Sequence, residues 1–258
     1  MSTHVHPAAF VDPGARLGPG VTIGPGAIIG PDVEIGEGTR VDAYALVTGW
    51  TRVGRNCQIF HCAVVGVAPQ DLKYRGEKTY VEVGDETILR EFSTVHRATA
   101  PEGTTRVGSH CLLMANAHVA HDSTVGDHCV LANAVSLAGF VTVEEYAILG
   151  GTVGVHQFTR VGAHSIVGGL SRVIQDVIPY GKAGGNPLRI VGLNSIGLSR
   201  RGFAPDVQAA LKRAYRLLFR ENLPVSEAVA RMRAECLSCP EVERMARFAE
   251  TSVRGLTR

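Results

Sequence analysis

Four histidines, His96, His118, His121 and His156, crowd the middle of a 258-residue chain, and Asp122 directly follows His121. An imidazole gives or takes a proton near neutral pH, and it is also a common metal ligand. Three further histidines, His110, His128 and His164, lie in the same stretch. Six cysteines stand at 57, 62, 111, 129, 236 and 239. Their spacing matches no paired zinc knuckle, and the isolated Cys236–Cys239 pair is a weak metal or redox signal. Which of these residues can act together depends on the repeat that carries them.

Aliphatic residues recur every six positions, from Val11 and Leu17 to Ile59 and Val65, again at Val83, Leu89 and Val95, and then from Val107 to Val173, making 25 hexads. Glycine often follows the aliphatic residue, as at Gly18, Gly36 and Gly126, and the residue four places on is usually small, as at Ala27, Ala45 and Cys57. Neither the helical nor the strand period produces this pattern. A short strand followed by a corner does, and three such units close one triangular coil of about 18 residues whose aliphatic side chains point inward. On this reading the glycine relieves backbone strain at the turn. Cys111 and Cys129 take the small-residue position, which excludes them as nucleophiles. The segments 67–78 and 100–106 break the phase and are expected as loops between coils, where function often resides.

Stacked coils place residues 18 apart above one another, about 4.8 Å apart. One such column reads His121, Gly139, Gln157, Gln175, with His156 beside Gln157. Gly139 leaves backbone free to approach a substrate next to His121. A second column reads Asn133, Gly151, Gly169, a bare strip suited either to tight packing or to a groove for a long ligand.

The repeat ends near Val177. Residues 1–178 are expected to form the repeat domain, 179–196 a connector rich in Gly, Pro and Asn, and 197–258 a helical C-terminal domain. Helices are expected from Pro205, over 226–232, and after a capping box at Ser238–Glu241. Hydrophobic residues make up 45% and aromatics 6% of the chain, with 30 glycines, a composition favouring a turn-rich β architecture. The net charge of +2 is too small to argue for nucleic acid. From Gly197 onward 12 Arg/Lys face 7 Asp/Glu, a basic end suited to an acidic partner. No apolar run is long enough to span a membrane and no secretory signal is evident, so an expected cytoplasmic protein has reduced thiols.

The stretches Met114–Asp122 (MANAHVAHD), Gln70–Tyr74 (QDLKY), Val95–Arg97 (VHR), Val155–Phe158 (VHQF) and Leu198–Phe203 (LSRRGF) give a more specific signal. With the hexads, they resemble the acyl-carrier-protein-dependent UDP-N-acetylglucosamine O-acyltransferases of lipid A biosynthesis, over nearly the whole chain. The resemblance implies a mainly β fold, a left-handed parallel β-helix of hexapeptide repeats with a C-terminal α-helical domain, assembled as a homotrimer with active sites between subunits. It implies transfer of an (R)-3-hydroxyacyl group from acyl carrier protein to the 3-hydroxyl of UDP-N-acetylglucosamine, with no metal or other cofactor. It further implies His121 as general base, Asp122 as its orienting partner and Gly139 N–H as oxyanion donor. Asp71, Lys73 and His118 match acceptor-site positions, with Gln70 in the same motif. His96, His156, Gln157, Asn194 and Arg200 match nucleotide-sugar or donor contacts, and Gly169 matches a position that limits acyl length. Phe140 replaces the family's usual histidine after the oxyanion glycine, and Ile196 replaces a usual acidic residue.

Three other readings compete. One is an N-acyltransferase of the same fold, acting on an amino-sugar nucleotide such as a 3-amino UDP-sugar. Another is a metal-dependent, carbonic-anhydrase-like hexapeptide protein using His118, His121 and His156. The last is a non-catalytic structural or carrier-binding solenoid.

Overall fold

The computed structural model describes residues 2–236 and 238–258. Each hexad forms a two-residue strand and a corner, and successive strands feed three sheets in rotation. Sheet A runs from His4–Val5 through Ile166–Val167, sheet B from Phe10–Val11 to Arg172–Val173, and sheet C from Arg16–Leu17 to Arg160–Val161. Pairing within these runs is parallel and mostly steps by 18 residues, as in Val130↔Ile148 and His118↔Ser136. The hexad aliphatics Ile23, Ile29, Leu113, Leu131 and Leu149 are buried in one continuous core, with Ala27, Ala45, Cys57, Cys111 and Cys129 filling the space beside them. Burying each such Leu or Ile contributes roughly 1.5–3 kcal/mol, so stacking supplies the core that no single coil has.

The glycines have a different role from the one expected. The left-handed residue of each corner lies three places after the aliphatic residue, and it is usually not glycine: Asp32, Tyr44, Asn56, Glu86, Asp122 and Phe140 all have φ between 53° and 60°. Most of the glycines one place after the aliphatic residue have ordinary φ and are required by close packing of coils. A Cβ on Gly36 would lie 2.6 Å from the Gly54 carbonyl carbon, and one on Gly84 would lie 2.6 Å from Ser109 N.

Two insertions lengthen the coils, but their limits differ from 67–78 and 100–106. Val67 ends the strand Val64–Val67, and residues 104–106 belong to the strand Thr104–Val107. That strand pairs residue for residue with Tyr80–Val83, which pairs in turn with Trp50–Val53. The extra chain thus satisfies its backbone hydrogen bonds by extending sheet C, leaving 68–79 and 97–103 as the projecting segments.

The segment 179–196 is itself structured rather than a plain connector. Gly181–Gly184 and Arg189–Leu193 form an antiparallel pair that closes sheet A, with Gly185 (φ 97°) in the turn, and helix α1 (Ser195–Arg200) begins within it. Helices α2 (Pro205–Phe219), α3 (Val225–Glu235) and α4 (Pro240–Glu250) follow. Leu211, Ala214 and Leu218 are buried, as the helical spacing requires. The expected capping box is not formed. Cys239 is the N-cap of α4 without a side-chain hydrogen bond, and Pro240, which has no N–H to satisfy, opens the first turn. All six cysteines are free.

Candidate active site

His121 stands on the corner between the sheet B strand His118–Val119 and the sheet C strand Thr124–Val125. Both insertions leave from the same corner, after strands Val64–Val67 and Thr94–His96, and so converge on His121. Its Nδ1 lies 2.8 Å from Asp122 Oδ2, and its Nε2 lies 4.0 Å from Asp71 Oδ2 on the first insertion. Asp71 is fixed by a turn in which its Oδ1 accepts from Lys73 N–H at 2.8 Å. Asp122 is gripped in turn by the second insertion: Thr99 donates from its hydroxyl at 2.6 Å and from its N–H at 3.1 Å to Oδ2. Asp122 N–H donates to Thr105 Oγ1 at 2.8 Å, which holds the left-handed corner.

Gly139 sits directly against the ring, as the column argument required. A Cβ there would overlap the His121 imidazole, 2.7 Å from Nε2. Phe140 meets the His121 ring edge-on at 5.5 Å and stacks on Phe158 at 4.9 Å. His118, on the strand leading into the His121 corner, meets His96 of the preceding coil with ring centres 4.8 Å apart, and Thr94 Oγ1 is 2.6 Å from His118 Nδ1. Burial, aided by the other histidines, pushes His96 down to about 4, and burial also lowers His118. Both therefore offer neutral rings at neutral pH, able to give or accept a hydrogen bond.

The first insertion is tied down by Arg97. Its guanidinium donates to Gly66 O at 2.8 Å and to the Tyr74 hydroxyl at 3.1 Å, and it lies 5.6 Å from the centre of the Trp50 ring. Gln70 and Lys73 are exposed on this insertion. Thr99 and Thr105 belong to no motif, and their only signal in the sequence is that they lie in or beside the phase breaks. Arg97 and Tyr74 lie inside the VHR and QDLKY stretches, which give them no role.

The remaining residues divide by corner. His156 and Gln157 share the His121 corner, two coils on. Gly169 lies on the corner between sheets A and B, stacked so that a Cβ would be 3.0 Å from Gly151 O. Asn194 and Arg200 lie near the third corner. There Asn194 caps α1 by accepting from Gly197 N–H and donates to His164 O at 2.9 Å, so both ends of its amide are engaged. The single chain therefore does not gather Gly169, Asn194 and Arg200 around His121. His118, His121 and His156 are not gathered into a cluster either, and among the described residues no group of three His, Cys, Asp or Glu side chains is arranged to hold a metal.

Residues 176–257 match the family model described as UDP N-acetylglucosamine O-acyltransferase, domain 2. Residues 2–36 and 104–139 match bacterial transferase hexapeptide repeats. An acyl-[acyl-carrier-protein]–UDP-N-acetylglucosamine O-acyltransferase from Syntrophobacter fumaroxidans is 44% identical over 98% of this chain and 99% of its own length. A protein of the same name from Myxococcus xanthus is 47% identical over 81% and 82% of the two chains. The LpxA structure from Acinetobacter baumannii superposes with a TM-score of 0.96 at 41% identity, covering 98% of this chain and 99% of that one. The fold is thus a left-handed parallel β-helix with C-terminal helices. The chain belongs to the acyl-[acyl-carrier-protein]–UDP-N-acetylglucosamine O-acyltransferase family.

Proposed function

We infer that this chain transfers an (R)-3-hydroxyacyl group from acyl carrier protein to the 3-hydroxyl of UDP-N-acetylglucosamine, the first step of lipid A biosynthesis. The observation that carries the mechanism is the contact between His121 Nδ1 and Asp122 Oδ2. A carboxylate there accepts from Nδ1–H and leaves Nε2 bare, facing the space between Gly139 and Asp71. Nε2 takes the proton of the sugar hydroxyl as its oxygen attacks the thioester carbonyl. Gly139 N–H, which has no acceptor among the described residues, is left to donate to the oxyanion. When the C–S bond breaks, the imidazolium returns its proton to the departing thiolate. The thioester is already activated, so the step needs no covalent enzyme intermediate.

In this reading Asp71, Lys73, His118 and Gln70 hold the acceptor, while His96, His156, Gln157, Asn194 and Arg200 contact the nucleotide sugar or donor. Gly169 leaves room for the acyl chain. The last three of these positions lie on other corners, which supports a homotrimer with sites between subunits. The outer face of sheet A supports it too, because Ile88, Leu112, Val130, Ile148 and Ile166 form one half-buried apolar column. The outer face of sheet C carries ion pairs instead, such as Arg106 with Glu82 at 2.5 Å. No helix among the described residues is long and apolar enough to cross a membrane. We place the reaction in the cytoplasm, with acyl carrier protein as partner. Phe140 and Ile196 keep acylation of a 3-amino UDP-sugar as the second reading.

The test is mass spectrometry of products from a panel of acyl-carrier thioesters offered with each acceptor. The expected product is a base-labile 3-O-ester of UDP-N-acetylglucosamine. Product only with the 3-amino acceptor would move the assignment to N-acylation, and thioester consumption without sugar product would sink both.

A further inference from the structure

The end of the chain returns to the β-helix and reaches the groove that holds His156. Asp176, 1% exposed, accepts from the N–H and Nε–H of Arg160 at 2.8 and 3.1 Å and from the Ser252 hydroxyl at 2.8 Å. Its own N–H donates to Gly255 O at 2.9 Å, and its carbonyl accepts from Thr257 N–H at 2.8 Å. These contacts lay the C-terminal segment against the last coil, with Asp176 and Leu256 bridged in parallel. The strap delivers Arg254 to His156, 98 residues away in sequence.

Arg254 Nη2 lies 3.3 Å from His156 Nδ1 and 3.3 Å from Ile174 O. One guanidinium nitrogen carries two N–H groups, and here each has an acceptor. No carboxylate pairs with Arg254 among the described residues. His156 Nδ1 is also 3.1 Å from Gln157 O. The two neighbours make opposite demands. The carbonyl needs a proton on Nδ1, whereas the guanidinium has only donors and needs Nδ1 bare. A hydrogen bond from an ionised donor is roughly twice as strong as a neutral one. The charged partner therefore sets the tautomer.

We propose that Arg254 is a positioning residue that holds His156 with its proton on Nε2, so that His156 presents a hydrogen-bond donor to the substrate. The proposal rests on the functional reading above, in which His156 contacts a substrate whose phosphate and carbonyl oxygens require donors. Two histidines on one corner are then held in opposite tautomers. Asp122 makes His121 a base at Nε2, and Arg254 makes His156 a donor at Nε2.

The test uses the full chain labelled with 15N-histidine, with the His156 resonances assigned by their loss in His156→Asn. Long-range proton–nitrogen correlations should show Nε2–H at His156 in the unaltered protein. Arg254→Ala should move the proton to Nδ1, facing Gln157 O, and raise KM for the nucleotide sugar about tenfold with a smaller change in kcat. Arg254→Lys keeps a charged donor and should restore most of both. Nδ1–H in the unaltered protein would overturn the proposal, even if Arg254→Ala fails to fold. So would a folded Arg254→Ala with unchanged tautomer and KM. An unaltered protein that transfers nothing to either acceptor would overturn the functional reading instead, while the tautomer measurement would still decide the role of Arg254.

Discussion

His121 and Asp122 are neighbours in sequence, yet their cooperation depends on residues far along the chain. The carboxylate reaches Nδ1 because the corner residue adopts φ 60° and because Thr99, 23 residues earlier, donates to it twice. Replacing His121 by Ala should lower kcat by about 10²–10⁴, the usual contribution of a general base, with the fold intact by circular dichroism. Asp122→Asn should cost less, since the imidazole remains and only its orientation suffers. A larger loss for Asp122→Asn than for His121→Ala would reverse the two roles. The pair, and Gly139 one coil on, were legible from motif and spacing because both lie within regular hexads. The grip of Thr99 was not, because it depends on the path of an insertion, and no periodicity predicts how an aperiodic segment folds back.

The hexad itself made the coil legible almost completely, down to which residues stack. It did not reveal why glycine follows so many of the aliphatic residues. The pattern suggests a turn requirement, whereas most of these glycines have ordinary φ and backbone from the next coil pressed against them. Two glycines on one corner, Gly36 and Gly38, separate the explanations. Gly36 has backbone of Gly54 2.6 Å from where a Cβ would stand, while Gly38 (φ 69°) meets only the side chain of Asn56. Alanine at 38 must hold a left-handed φ, at about 1–2 kcal/mol, partly offset because alanine has less unfolded-state entropy to lose than glycine, so the net cost should be about 1 kcal/mol. Alanine at 36 forces coils apart and should cost about 1–3 kcal/mol. Denaturation midpoints of the two variants give the comparison, and a more damaging Gly38→Ala would restore the turn explanation. In the segment 179–196 the Gly and Pro content marks a turn, and that turn joins two strands that complete sheet A, a pairing no hexad periodicity encodes.

The proposed homotrimer would decide whether the nucleotide contacts reach His121. Within one chain, His121 and Arg200 lie on different corners of the prism, and the apolar column along sheet A is only half-buried. If three protomers pack around an axis, one subunit's His121 corner can face another's Arg200 corner. Closed symmetry then repeats that contact at each interface. A mixture of two inactive proteins tests this. His121→Ala lacks the base but keeps Arg200, and Arg200→Ala keeps the base but lacks the proposed nucleotide contact. Each alone should be nearly silent at low nucleotide-sugar concentration. Co-expressed in equal amounts under separate affinity tags, they should form mixed assemblies. In an assembly that carries both tags, about one site in three should then pair an intact His121 with an intact Arg200, if each site of a trimer draws one residue from each of two neighbours. Purification through both tags in series, followed by initial-rate measurement, reads that fraction directly. Activity no greater than the sum of the two separate variants, in assemblies shown by native mass spectrometry to contain both chains, would place His121 and Arg200 in the same subunit's site or separate Arg200 from the reaction.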